Sequence, residues 1–282
     1  MKVIKSIDDM RGYSSAAKKS GKTIALVPTM GALHEGHLSL LVLARGFCDV
    51  SVMSVFVNPT QFGPSEDFDK YPRDLSRDCG LAESAGCDCL FAPSAAEMYP
   101  AGYGTYVDVG PIGGMLCGAA RPGHFRGVAT VVLKLFNITA PDAAVFGAKD
   151  AQQAAVIRSV VKDLNLPVRI VTAPIIREPD GLAMSSRNAY LTAAERKQAV
   201  KISESLFEAK TLFDGGERSA ELIKKRIVST INGGGLIRSE YVEIVDPASL
   251  RPLDVIDGAA MIAVACRALE SKTRLIDNVV VG

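Results

Sequence analysis

His34 and His37 stand in the stretch P-T-M-G-A-L-H-E-G-H at 28–37, and they are two of the three histidines in a chain of 282 residues. An apolar run at 23–27, T-I-A-L-V, precedes them and reads as a buried strand. Leu38, Leu40, Leu41, Leu43 and Ala44 follow at the spacing of one helix face. A glycine-bearing turn therefore joins a strand to the start of a helix. A helix start presents unpaired N–H groups and a partial positive charge, which together favour an anion. Gly36 lets a phosphate come close, and the imidazoles add donors where phosphate charge builds up. On these residues alone, surface histidines or metal ligands stay open as alternatives. Zinc is disfavoured, since no further His or tight Cys pair accompanies the two.

Other loops carry residues of matching chemistry. In G-A-K-D-A-Q-Q at 147–153, Gly147 permits close approach of a nucleotide. Lys149 offers a point charge for phosphate, Asp150 suits ribose hydroxyls or a helix cap, and Gln153 falls on a first helical turn. In A-M-S-S-R-N at 183–188, two hydroxyls and an arginine can grip the phosphates that leave when an α-phosphate is attacked. Gln61, in F-V-N-P-T-Q-F at 56–62, is donor and acceptor at once and suits a small polar substrate. A loop amide bonded to its own backbone fits Gln61 equally. R-P-G-H-F-R-G at 121–127 is either a mobile anion loop or a helix-capping turn. No Walker-type phosphate loop and no strand-linked G-x-G-x-x-G is present, which excludes the P-loop NTPases and argues against NAD.

These loops need a scaffold. Strands are expected at 23–27, 49–57, 89–92, 143–146 and 168–172, with helices at 36–46, 73–85, 128–138 and 150–164 between them. Such alternation is that of βαβ units, an α/β, Rossmann-like doubly wound parallel sheet. Ligands in such sheets gather at the carboxyl ends of the strands, where the unusual loops fall. Beyond 175 the order changes. Helices at 193–213 and 218–231, then strands near 240–245, 259–267 and 275–281, give a smaller C-terminal α+β domain. The boundary is placed there, giving domains 1–175 and 176–282.

Composition narrows the partners. With 48% hydrophobic residues the chain can bury a sizeable core, and a net charge of +1 points to neither nucleic acid nor an acidic membrane. No signal-peptide core and no run of membrane-spanning length appears. The six cysteines form no C-x-x-C, which suggests buried thiols in a reducing, cytoplasmic setting.

The H-x-G-H spelling near the first long strand is similar to that of adenylyl-transferring enzymes related to class I aminoacyl-tRNA synthetases. M-S-S-R resembles their K-M-S-K-S-type loop. An ordered set of motifs then resembles the pantothenate synthetase (pantoate–β-alanine ligase) family almost end to end. It comprises 28–37, V-F-V-N-P-T-Q-F at 55–62, Y-P-R-D at 71–74, R-P-G-H-F-R-G-V at 121–128, 147–153, D-G-L-A-M-S-S-R-N at 180–188 and Y-V-E-I-V-D at 241–246. The resemblance implies condensation of pantoate and β-alanine with ATP and Mg²⁺ through a pantoyl adenylate, by a cytoplasmic homodimer. It implies an ATP site lined by Met30, Gly31, Ala32, Leu33, His34, Glu35, Gly36 and His37. His37 is the residue named as proton donor in this family, although physically it reads mainly as an electrostatic stabiliser of the α-phosphate.

The resemblance further implies nucleotide contacts from Gly147, Ala148, Lys149 and Asp150 and from the backbone of Ile176. Met184, Ser185, Ser186 and Arg187 are expected to close over the phosphates as a lid. Gln61 is assigned to pantoate and β-alanine, Gln153 to pantoate, and Asp78 is a candidate for Mg²⁺. Ala148, Ala151 and Cys117 depart from the family's usual Glu or Gln, Tyr, and Glu. Two rivals exist. A nucleotidyltransferase would need a pocket for a phosphorylated cosubstrate, and a tRNA-binding relic of a synthetase would need a basic second domain that 175–282 lacks.

Overall fold

The computed structural model describes residues 1–64 and 66–282. The chain forms two compact units. One holds Met1–Ala148 and Val156–Pro174, the other Lys149–Ala155 and Ile175–Gly282.

The first unit is built on six parallel strands: β1 (Lys2–Ile4), β2 (Ile24–Thr29), β3 (Val50–Val55), β4 (Cys89–Phe91), β5 (Ala143–Gly147) and β6 (Arg169–Ala173). Their order is β1-β4-β3-β2-β5-β6. The helices between them are α1 (Ile7–Lys19), α2 (Glu35–Arg45), α3 (Leu75–Ser84), the short α4 (Ala95–Met98) and α5 (Cys117–Ala120), α6 (His124–Thr139) and α7 (Ala151–Asp163). The inner strands are apolar without alternation because both faces are covered: Ile24, Ala25, Leu26 and Val27 are all fully buried. Leu33, Leu41, Ala44, Met53 and Leu90 pack on one face of this sheet.

Strand order reverses between β2 and β5, where Ala25 pairs with Ala143 and Leu26 with Ala144. In sheets of this kind ligands bind outside the carboxyl ends at such a reversal. The chain leaves β2 at Thr29 and β5 at Gly147, so the histidine turn and the 147–150 loop both start there.

Two elements at the N-terminus went unread in the sequence. β1 is three residues long, and α1 buries only Met10, Ser14 and Ala17, of which Met10 alone is a large apolar residue, so no apolar stripe stands out. Helix α6 starts four residues earlier than its apolar run at 128, because Gly123 serves as N-cap in the left-handed conformation, φ 82°. The 121–127 segment is thus in part a helix-capping turn.

In the second unit α8 (Ala193–Asp214) and α9 (Ala220–Asn232) pack on an antiparallel sheet of β7 (Ile237–Val245), β8 (Ala260–Ala268) and β9 (Arg274–Val281), in the order β7-β8-β9. Ile202, Leu206, Ile223 and Ile227 meet Ile244, Ile262 and Val264 in its core. Thr192 caps α8 in a capping box with Glu195. Glu195 is fully buried and also accepts the N–H groups of Glu270 and Ser271 at 2.8 and 3.0 Å. Among the described residues no helix is long and apolar enough to cross a membrane.

Candidate active site

The spacing of the two histidines acquires a physical reason at α2. His34 is the N-cap, and its Nδ1 accepts the Gly36 N–H at 3.1 Å. His37 is the third helical residue, and its Nδ1 faces back to the His34 N–H at 3.4 Å. The pair forms a reciprocal capping box in which imidazoles replace the usual Ser and Glu. Both Nδ1 atoms act as acceptors, so each neutral ring carries its proton on Nε2 and presents it as a donor. The rings lie 4.1 Å apart between centroids. Glu35 sits in the first turn, where a carboxylate offsets the helix dipole.

The residues before the cap are held in an unusual shape. Gly31 and Ala32 both have positive φ, 84° and 51°. For Ala32 this costs on the order of 1 kcal/mol. The Asp78 side chain on α3 accepts the Ala32 N–H at 3.0 Å and the Leu33 N–H at 2.8 Å. Asp78 is 1% exposed. The sequence made it a candidate Mg²⁺ partner. Both of its oxygens accept backbone N–H groups, and among the described residues no group of three or more His, Cys, Asp or Glu side chains could hold a metal ion.

Gln61 lies in a single turn of 3₁₀ helix, Pro59–Gln61, and is buried. Its Nε2 points to the Met30 sulfur at 3.0 Å, so this substrate candidate and the start of the histidine turn meet. Sequence reasoning overlooked what fixes it. Asn58, 1% exposed, donates Nδ2 to Gln61 Oε1 at 3.1 Å and to the Gly127 carbonyl at 3.2 Å. Its Oδ1 accepts from Tyr99 Oη at 2.7 Å and from Thr60 Oγ1 at 2.9 Å. Burial pushes the Tyr99 phenol up to about 12, so it stays a donor at neutral pH. His124 Nδ1 lies 2.8 Å from the Gln61 carbonyl oxygen, and Arg121 reaches that oxygen at 3.4 Å while pairing with Glu66 at 2.5 Å. Burial alone would raise the Glu66 pKa, but the Arg121 guanidinium holds it below the ordinary value. An Asn directly after the apolar run that ends at Val57 was the available signal.

Gly147 closes β5, and Ala148, Lys149 and Asp150 form a 3₁₀ turn ahead of α7. In the second unit Asn278 Nδ2 donates to the Lys149 carbonyl at 3.0 Å. Gln153 sits on the first turn of α7 and is half-buried. Residues 176–184 make a small hairpin: Ile176 accepts the Met184 N–H at 3.0 Å, and Glu178 donates its N–H to Leu182 at 2.8 Å. Ser185 then caps the 3₁₀ turn Ser186–Tyr190, accepting the Arg187 N–H at 3.2 Å. Two side-chain clamps hold this hairpin. Arg177 pairs with Asp277 at 2.6 and 3.0 Å, and Asn188 donates to Glu178 at 2.7 Å and to the Ala183 carbonyl at 3.1 Å. Ser185, Ser186 and Arg187 are therefore presented on a braced turn.

Comparison with known proteins decides the family. The family model for pantoate-β-alanine ligase matches residues 2–280. The chain belongs to the pantoate–β-alanine ligase family. Pantothenate synthetase of Acetivibrio thermocellus is 56% identical over 281 residues, covering 100% of this chain and 99% of the relative. That of Geobacter sulfurreducens is 54% identical over 285 residues, with the same coverage. Among solved structures, pantothenate synthetase from Thermus thermophilus superposes with a TM-score of 0.93 at 42% identity, over 99% of each chain. A pantoate–β-alanine ligase from Francisella tularensis, complexed with β-γ ATP and β-alanine, gives 0.80 at 35% identity, over 99% of this chain and 97% of that one. As a member of the family the chain is an ATP-dependent ligase that condenses pantoate with β-alanine to pantothenate. The rival nucleotidyltransferase and tRNA-relic readings fall away. Cys117, one of the departures from the family pattern, starts α5 and is buried.

Proposed function

We propose that condensation runs in two steps through a pantoyl adenylate. A pantoate carboxylate oxygen attacks the α-phosphorus of ATP, the bond to the β-phosphate breaks, and pyrophosphate leaves. The β-alanine amine then attacks the acyl carbon, the carbon–oxygen bond to AMP breaks, and the amine loses its proton. No enzyme side chain becomes covalently attached. The protein contributes positioning and charge stabilisation.

The observation that carries this reading is the histidine capping box at the end of β2. It fixes the tautomer of both imidazoles at the reversal of strand order, so that Nε2 of each neutral ring carries the proton assigned to phosphate. His34 and His37 stabilise charge at the α-phosphate. Lys149 binds phosphate and Asp150 the nucleotide, and the Ile176 backbone meets adenine. Ser185, Ser186 and Arg187 hold the departing pyrophosphate as the second unit's lid. Gln61, its oxygen fixed by Asn58, directs its N–H toward the small substrates, and Gln153 binds pantoate. Mg²⁺ enters with ATP as part of the substrate, since the described residues offer no cage of their own. A homodimer in the cytoplasm follows from the family resemblance, and six free cysteines accord with a reducing compartment.

The test uses pantoate labelled with ¹⁸O in its carboxylate. An adenylate route carries one labelled oxygen into AMP, because the bridging oxygen stays with phosphorus when the amine attacks carbon. AMP free of label would rule the route out. Omitting β-alanine should leave pantoate-dependent exchange of pyrophosphate into ATP.

A further inference from the structure

Gly31 and Ala32 are consecutive left-handed residues just ahead of the histidine cap. Alanine resists that conformation, because its Cβ crowds the following carbonyl oxygen. It persists only where the surroundings over-determine it. Those surroundings come from one turn of α3. Asp78 accepts the Ala32 N–H on Oδ2 at 3.0 Å and the Leu33 N–H on Oδ1 at 2.8 Å. Its neighbour Arg77 donates Nη1 to the Leu33 carbonyl at 3.1 Å. The same nitrogen lies 4.0 Å from Asp78 Oδ1. Leu33, itself fully buried, is thus gripped on both sides of its backbone by two consecutive residues. Gly31 completes the fit, since a Cβ there would stand 2.8 Å from Asp78 Oδ2.

We propose that Arg77 and Asp78 are positioning residues that set the 31–33 turn before ATP arrives. Held in this shape, the turn delivers His34 to its N-cap position, so the imidazole donors need no rearrangement when phosphate charge develops. Stabilisation by preset donors depends on avoiding that rearrangement. Neither side chain touches substrate. A buried carboxylate with each oxygen on a backbone N–H is arranged for this task rather than for a cation. The inference rests on the assignment of the 30–37 turn to ATP.

Asp78→Asn keeps the size of the side chain but turns one acceptor into a donor facing an N–H group. Without nucleotide or Mg²⁺, amide hydrogen exchange at Ala32 and Leu33 should speed up about tenfold, as expected from losing a hydrogen bond to a charged group. ATP affinity by calorimetry should weaken by a similar factor, while the KM for β-alanine and the Mg²⁺ concentration for half-maximal rate stay unchanged. Unchanged exchange overturns the clamp. So does a Mg²⁺ requirement raised about tenfold with exchange unaltered, which would assign the carboxylate to the metal. Faster exchange with wild-type ATP affinity would leave the clamp standing and remove the turn from the ATP site. If Asp78→Asn does not fold, the more exposed Arg77→Met carries the test. Faster exchange at 32–34 supports the pair, and wild-type exchange there overturns it.

Discussion

His37 has two tasks that substitution can separate. Its Nδ1 closes the capping box and its Nε2–H is assigned to the α-phosphate. His37→Gln retains a side chain suited to the third helical position but not the imidazole donor. We expect its melting temperature to stay near wild type while turnover falls by about 10²–10³, the usual loss for one transition-state donor. A turnover within about fivefold of wild type would remove His37 from the chemistry. Gln61 is the other residue whose role can be isolated. In Gln61→Ala, calorimetry should show weaker binding of pantoate, by about 1.5–3 kcal/mol for a bond to its charged carboxylate, and ATP binding near normal. Asn58→Ala should reproduce this in part, because it frees the Gln61 amide to turn. It should also lower stability by about 1–3 kcal/mol, since Tyr99 Oη and the Gly127 carbonyl lose a buried partner.

At the scale of elements, α6 lies against the 3₁₀ turn that carries Gln61, and Gly127 makes the approach possible. A Cβ at 127 would run into the Thr60 carbonyl and the Gln61 N–H. Gly127→Ala should therefore displace Gln61 from a distance. Pantoate KM should rise severalfold while the near-ultraviolet signal of the fold remains, and unchanged kinetics would mean the turn yields without moving the amide. Glu195 ties the start of α8 to residues 270–271. Burial alone would raise its pKa, but the N–H groups of Ser271, Thr192 and Glu270 hold it below the ordinary value. A depressed carboxylate adds stability above its unfolded pKa, about 4.3, and that stability is lost as pH falls through the lower folded value. Acid titration should thus destabilise the second unit below about pH 4.3. Glu195→Gln should be less stable at neutral pH and flatter in that acid range, as thermal melts across pH would show.

For the whole molecule, the candidate residues divide between the two units: Met30 to His37, Gln61, Gly147 and Ala148 in the first, and Lys149, Asp150, Gln153, Ile176 and Met184 to Arg187 in the second. A ligand shifts a conformational equilibrium only through contacts made in one state and not another. Under the lid reading, Ser185, Ser186 and Arg187 supply those contacts, and closure keeps water from the acyl adenylate. ATP with Mg²⁺ should then protect residues 180–190 from hydrogen exchange, and Arg187→Ala should abolish much of that protection. Identical exchange with and without nucleotide would end the lid reading.

The sequence by itself determined the α/β rhythm, the helices and sheet of the second half, and the loops that hold the chemistry, because those depend on local apolar periodicity and on residue types read in order. It could not show β1, which is three residues long, or α1, whose buried face holds a single large apolar residue, Met10. Nor could it show what Asp78 and Asn58 do. A carboxylate on a helix spells the same whether it faces solvent, a cation or a backbone. Only the pairing of 78 with 32 and 33, and of 58 with 61, 99 and 127, decides the matter. Those contacts span up to 69 positions of sequence and exist only once the strands are in register and α3 and α6 are laid against them.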